Sequence, residues 1–151
     1  MSCQPVRKYG ATDTIDRVCE IAILKGMLIR KLDEIKEFVA GDGSNLKEIF
    51  HPDKQPVDIR YSLARASVRT GEATLPHTLS NAEVYYIIRG RGRMHIGDEA
   101  KDVGESDTVY VPAGAIQSIE NTGAGNLEFL CIVDPAWQPE FERVIKHQPR
   151  P

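Results

Sequence analysis

The sequence has no apolar run near the roughly 20 residues that a membrane-spanning helix requires. Ile21 to Leu24 is too short even for the core of a signal peptide, about 7–15 residues, and the cytoplasm is the expected compartment. An excess of one charge is also lacking. The chain carries 19 basic and 22 acidic residues, a net charge of -3 at pH 7, which gives no field for nucleic acid or an anionic membrane. Cysteine is scarce: Cys3, Cys19 and Cys131 are odd in number, widely spaced and without a Cys-x-x-Cys pair, which excludes a disulfide framework or a zinc knuckle. Cys131 lies in the apolar run Leu127, Phe129, Leu130, Ile132 and reads as a small buried hydrophobe. Nucleophile elbows of the Gly-x-Ser-x-Gly kind and His-Glu-x-x-His helices are absent. Gly90-Arg-Gly-Arg is followed by no helix, so it reads as a charged hairpin tip and not as a phosphate loop.

What is present fits one domain. A length of 151 residues gives a well-covered core but little room for two. Residues 1–26 read as an extension, with Ile15, Val18, Cys19 and Ala22 at helical spacing after a capping Asp13. An arm and loop occupy 27–56. Met27 to Val39 is placed as an edge-pairing arm, and 41–56, rich in turn formers, as a loop with at most a brief turn near Leu46 to Phe50. From Ile59 the texture is β. Ile59 to Val68, Glu83 to Arg89, Arg91 to Ile96, Thr108 to Val111, Ile116 to Asn121 and Asn126 to Val133 are short runs rich in β-branched and aromatic residues, separated by turn residues. No helical stretch separates them, so a sandwich or barrel over 57–134 is favoured over a parallel βαβ sheet. Residues 135–151 form the closing segment, with Trp137, Phe141, Val144 and Ile145 spaced for one short helix and Trp137 as a plug against the barrel.

Period-two alternation sends Glu83, Tyr85 and Ile87 to one face, and Val84, Tyr86 and Ile88 to the other. If the first face is the interior, Glu83 requires a metal, a hydrogen-bond partner or a raised pKa. Gly90 and Gly92 permit a tight hairpin, and Pro112 to Gly114 another turn. His95 lies between Met94 and Ile96, which should point inward, and so faces out. His51 and His147 fall in loop or tail segments without partner spacing.

Two segments carry a family pattern. In the first, Gly71, His77, Glu83 and Gly90 are set with five residues between Gly71 and His77 and six between Glu83 and Gly90. In the second, Pro112, Gly114 and Asn121 fall in order, with Ser106 where a glycine is usual. Together they resemble the two motifs of the cupin family over about residues 59 to 134, joined by the short spacer Arg91 to Glu105. The resemblance implies an all-β double-stranded β-helix, a jelly-roll barrel, and commonly a homodimer. It also implies a divalent metal (iron, manganese, nickel or zinc) held by histidines and a glutamate. His77 and Glu83 match two of those ligands, Leu79 replaces a second histidine, and Gln117 replaces a third with a weak amide oxygen.

Three chemistries for His77, Glu83 and Gln117 stay open on sequence grounds. They are a weakened metal site, a metal-free proton-transfer pair of Glu83 and His77 on a small ligand, and a satisfied polar cluster. Tyr85 shares the face of Glu83, and Tyr61, Arg65 and Tyr110 are further candidates for the pocket wall. The functional expectation is a metal-assisted enzyme on a small polar substrate, a sugar phosphate or organic acid, in the manner of phosphomannose-isomerase-like and dioxygenase-like cupins. Its alternative is a non-catalytic cupin that binds a small ligand in a metal-free pocket.

Overall fold

The computed structural model describes residues 26–146. The helix expected after Asp13 and residue His147 lie outside that range. Eleven strands account for the fold: β1 (Phe38–Val39), β2 (Asn45–Phe50), β3 (Ser62–Val68), β4 (His77–Leu79), β5 (Ala82–Arg89), β6 (Arg91–Ile96), β7 (Glu99–Gly104), β8 (Thr108–Val111), β9 (Gln117–Asn121), β10 (Leu127–Asp134) and β11 (Glu142–Val144). They form a six-stranded sheet of order β1-β2-β3-β10-β5-β8 and a five-stranded sheet of order β11-β4-β9-β6-β7. All pairings are antiparallel. Successive strands switch sheets at β3 to β4, β4 to β5, β5 to β6 and at every step from β7 to β11, which rolls the two layers into the expected barrel.

The alternation in β5 is realised in three dimensions: Glu83, Tyr85 and Ile87 are buried, while Val84 and Ile88 are partly covered and Tyr86 is exposed. The inner face of β5 meets that of β10 in register, Glu83 opposite Val133, Tyr85 opposite Cys131 and Ile87 opposite Phe129. Ile119 and Met94 cover this face from the other sheet, and Tyr85 and Phe129 stack at 5.1 Å between ring centroids. Met94 is buried and His95 faces out toward Glu120 at 3.8 Å.

Three sequence expectations change. The chain does not form a hairpin at Gly90. β5 and β6 belong to different sheets, and Gly90 is the corner between them, at φ 93°. The expected closing helix is replaced by a three-residue 3-10 turn, Pro139–Phe141, and then β11, which pairs with the exposed edge of β4. Pro135 and Pro139 interrupt the helical spacing, and the free hydrogen-bonding edge of β4 draws Glu142 to Val144 into an extended conformation. The segment 41–56 likewise holds a full strand, β2, paired with β3 from Asn45 opposite Ser67 to Phe50 opposite Leu63. No helix among the described residues is long and apolar enough to cross a membrane.

Asn121 shows why a polar residue stands at the end of β9. Its amide nitrogen donates to the carbonyls of Val68 and Gly125 at 2.9 and 2.8 Å, and its oxygen accepts from the Gly123 amide at 2.9 Å. This pins the loop that delivers β10 beside the Gly90 corner. A Cβ on Gly90 would lie 2.7 Å from the Asn126 carbonyl oxygen and 3.0 Å from the Leu127 Cα. Gly90→Ala is therefore expected to cost at least about 2 kcal/mol, from left-handed backbone plus overpacking. Gly125→Ala, with nothing within 4 Å of its added carbon, is the control. Urea midpoints measure both, and a Gly90→Ala protein as stable as the control would contradict this packing.

Candidate functional site

A cavity of about 230 Å³ opens at one end of the barrel, between the two sheets. Its floor and walls come from the barrel strands: His77 and Leu79 on β4, Glu83 and Tyr85 on β5, Ala64 on β3, and Cys131 and Val133 on β10. Its rim comes from the two ends of the described chain. The β1–β2 hairpin brings Phe38, Asp42, Leu46 and Glu48, and the closing segment brings Trp137 and Glu142. The cavity thus exists only because both flanking segments fold back over the barrel.

Antiparallel pairing sets His77 directly opposite Gln117. The His77 Nδ1–H donates to the Leu75 carbonyl at 2.9 Å, and its Nε2 has no hydrogen-bond partner among the described residues. Gln117 is only 1% exposed. Its oxygen accepts from the Tyr85 hydroxyl at 2.9 Å and its nitrogen donates to Glu83 Oε2 at 2.8 Å. The Cys131 thiol lies beside the Glu83 carboxylate and feels its charge. A carboxyl, an amide and a phenol therefore form one continuous network in the interior, and no buried side-chain nitrogen or oxygen of this network lacks a partner.

Burial dominates the electrostatics. Glu83 is 5% exposed, and loss of water pushes its carboxyl from 4.5 up to about 7, against the opposing pull of the Gln117 hydrogen bond and the nearby His77 ring. Burial also raises Tyr85 and Cys131 well above their ordinary ranges, with the charge of Glu83 adding to both. At the rim, Glu142 is raised by partial burial, held back by His77 and by a hydrogen bond from Trp137.

Of the residues singled out in the sequence, His77, Glu83, Gln117 and Tyr85 meet at this site. Tyr61 and Tyr110 do not: they are 39% and 64% exposed, and Tyr110 pairs with Val84 on the outer face of the six-stranded sheet. Arg65 also faces outward, bonded to Glu128 at 2.8 Å. The site contains residues that sequence reasoning passed over. Cys131 faces the same cavity as Glu83, a consequence of the β10–β5 register. Trp137 lines the cavity as well as closing the barrel. His51, assigned to a loop without partners, is buried and donates through Nε2 to the Trp137 carbonyl at 2.7 Å, while Nδ1 accepts from the Asp53 amide at 3.2 Å. Asp42 and Glu142 carried no sequence signal, because nothing local marks turn and edge-strand carboxylates as neighbours.

These donors do not fit a resident transition metal. Leu79 places hydrocarbon in the wall where a second imidazole would stand, and the Gln117 oxygen is engaged by Tyr85 while its nitrogen faces Glu83. One imidazole nitrogen and one carboxylate remain. No cluster of three or more His, Cys, Asp or Glu side chains among the described residues has a geometry suited to a metal ion.

The cupin-domain family model matches residues 64–133. An uncharacterized protein of Methanocaldococcus jannaschii is 36% identical over 115 residues, spanning 76% of this chain and 91% of that protein. The chain belongs to the cupin family. Among solved structures, this cupin is similar to the polyketide cyclase RemF from Streptomyces resistomycificus, with a TM-score of 0.67, 17% identity and coverage of 82% and 88% of the two chains. It also resembles Streptomyces PAC13 solved with uridine, with a TM-score of 0.64, 21% identity and coverage of 80% and 92%. The mannose-1-phosphate guanylyltransferase ManC of Salmonella typhimurium is 24% identical over 131 residues, and this cupin spans only 27% of its length against 81% of its own.

The raised Glu83 carboxyl carries a consequence for stability. The native state binds the proton more tightly than the unfolded chain, so native stability falls as pH rises from 4.5 to about 7 and then stays low. The shift corresponds to a cost of about 3 kcal/mol above neutral pH. Glu83→Gln is expected to melt higher than the parent at pH 8 and to show a much shallower decline between pH 5 and 8, as followed by circular dichroism. Parallel pH profiles for the two proteins would contradict a neutral, buried carboxyl.

Proposed function

We propose that this cupin catalyses proton transfer on a small polar molecule held in the barrel mouth, with Glu83 carrying the proton and His77 as the second acid–base group. The observation behind this reading is that a buried carboxyl and a buried imidazole, the latter anchored through Nδ1, face one cavity beside the hydrocarbon of Leu79, Val133 and Ala64. A carboxyl that titrates near 7 is populated in both forms at neutral pH, which suits a group that must accept and return a proton. Gln117 and Tyr85 hold the Glu83 carboxylate in place, so little reorganisation accompanies its ionisation. Leu79, Val133 and Ala64 limit the water that would otherwise compete for the proton.

The metal-assisted course implied by the family resemblance finds too few donors here. RemF, a cyclase by name, and PAC13, solved with uridine, lend the reading a precedent for small molecules in such barrels, although at their identities the likeness is one of fold. The name of ManC raises a phosphorylated sugar as a candidate, which the wall chemistry set out below disfavours.

The test is a solvent-exchange screen. Protein treated with a chelator is incubated in deuterium oxide with a panel of small hydroxy-ketones, sugars, nucleosides and amino compounds, and deuterium incorporation is read by mass spectrometry. At least one class is expected to exchange at the same rate with and without chelator. Glu83→Gln should slow it by about 10²-fold or more. Exchange that requires an added metal, or that survives Glu83→Gln, would contradict the reading. Saturable binding with no exchange by any ligand would favour the non-catalytic binding cupin instead.

A further inference from the structure

We infer that the cavity selects a small organic cation, a compound presenting an ammonium group on a short apolar body, and rejects the phosphorylated and carboxylic ligands that the family likeness suggests. This inference rests on the small-molecule reading of the cavity given above and narrows it to a substrate class.

The first support is the balance of hydrogen-bonding groups. Within the wall the donors are already engaged. The Tyr85 hydroxyl is bonded to Gln117, the Gln117 amide nitrogen to Glu83, and the Ser44 hydroxyl to Asp42 at 2.8 Å, while the Cys131 thiol is a weak donor beside Glu83. The Trp137 indole lies beside Glu142 and lowers its pKa, so its N–H is turned toward a carboxylate. Lys54, the one lysine at the cavity, is more than half exposed and paired with Glu48 at 2.7 Å. An anionic ligand needs several donors that its site can spare, and this wall has spent those it holds. The Ser62 hydroxyl, which accepts from the Trp137 amide at 2.9 Å, retains a proton to offer, and one neutral hydroxyl does not hold a phosphate.

Acceptors, in contrast, are left over. Four carboxylates line the cavity, those of Asp42, Glu48, Glu83 and Glu142, against the single lysine. The carboxylate of Glu142 lies over the Asp42 turn, its Oε2 3.4 Å from where a Cβ on Gly41 would stand. An acidic cluster alone would say little, since such groups often simply face water. The independent observation is His77. It is only 3% exposed and lines the cavity, and while Nδ1 is bonded to the Leu75 carbonyl its Nε2 has no partner among the described residues. A ligand ammonium has its charge met by the Asp42 and Glu142 carboxylates, and in the neutral Nδ1–H form of the ring the open Nε2 accepts one of its N–H groups. Phe38 and Trp137 offer aromatic surface for the carbon body and for contact with the cation.

The volume, about 230 Å³, suits a compound of modest size rather than a polymer end. A ligand anion would have to enter against the field of these carboxylates in a site that water screens poorly.

The experiment compares ligands that differ only in charge. Putrescine, 1,4-butanediol and succinate share a four-carbon skeleton, and phenethylamine and phenylacetate form an aromatic pair, with inorganic phosphate as a further anion. Each is titrated by calorimetry against the full chain. The amines are expected to bind at least about 10-fold more tightly than the matched carboxylates, with butanediol between. Asp42→Asn combined with Glu142→Gln should erase the preference, and the melting curve of this variant reports whether it is folded. If it does not fold, Glu142→Gln alone should at least halve the preference. Equal or tighter binding of succinate, phenylacetate or phosphate overturns the inference, as does the absence of binding by every amine at millimolar concentration. Anion binding together with Glu83-dependent deuterium exchange would overturn the cation assignment and leave the proton-transfer reading standing. Amine binding without any exchange would do the reverse.

Discussion

A single chain of hydrogen bonds, Tyr85 to Gln117 to Glu83, runs across the inside of the barrel. Tyr85 and Glu83 belong to β5 of one sheet and Gln117 to β9 of the other, so the chain is also a cross-link between layers. Its direction is set by its members. The phenol donates, the amide passes the donation on through its nitrogen, and the sequence of bonds ends on a carboxylate that can accept but need not be ionised. Buried polar networks are stable only when complete, and this one uses both ends of the Gln117 amide. That is why the glutamine cannot also serve as a free oxygen ligand, and why the carboxyl it reaches is held deep in the interior, where burial keeps its proton on to an unusually high pH. Stability at neutral pH is reduced by holding Glu83 there, which is the common trade of stability for a prepared site.

The rest of the site is assembled from places far apart in the chain. The β1–β2 hairpin and the segment leading to β11 are sheet edges, and each was free to lie anywhere that satisfied its backbone. Pairing with β3 and β4 fixes them over the mouth of the barrel. His51 contributes from a distance by tying the Trp137 carbonyl, so an apparently idle loop histidine holds one wall of the cavity. The closure produces a pocket with hydrocarbon below, carboxylates above and a lone imidazole nitrogen between them.

Much of the fold was legible because the central strands obey simple rules. β3, β5, β6, β8, β9 and β10 alternate or run apolar between glycine, proline and asparagine, and their expected bounds differ from the observed ones by a few residues at most. The strands that escaped notice lack that signal for physical reasons. β7 (Glu99–Gly104) is mostly exposed and charged, β4 is three residues long behind Pro76, β2 is flanked by turn formers, and β11 is made by a neighbour's open edge. The Gly90 corner was misread as a hairpin because a left-handed glycine serves both, and only the sheet assignment of the flanking strands tells them apart.

The site divides along the same line. Motif spacing and alternation placed His77, Glu83, Gln117 and Tyr85 together, since all four depend on local pattern. Tyr110 went astray because alternation gives two faces without saying which is inner, and the burial of Val111 turns it outward. Asp42, Cys131, Trp137 and Glu142 join the site only through tertiary pairing and could not be read locally.

The central claim is that Glu83 is a buried carboxyl that still holds much of its proton near neutrality. It is tested most directly by carbon-13 NMR titration of glutamate-labelled protein, with Glu83→Gln supplying the assignment. The account predicts one carboxyl resonance with a midpoint of about 7 that vanishes in the variant. A Glu83 resonance that titrates at the ordinary value of 4.5 would contradict it.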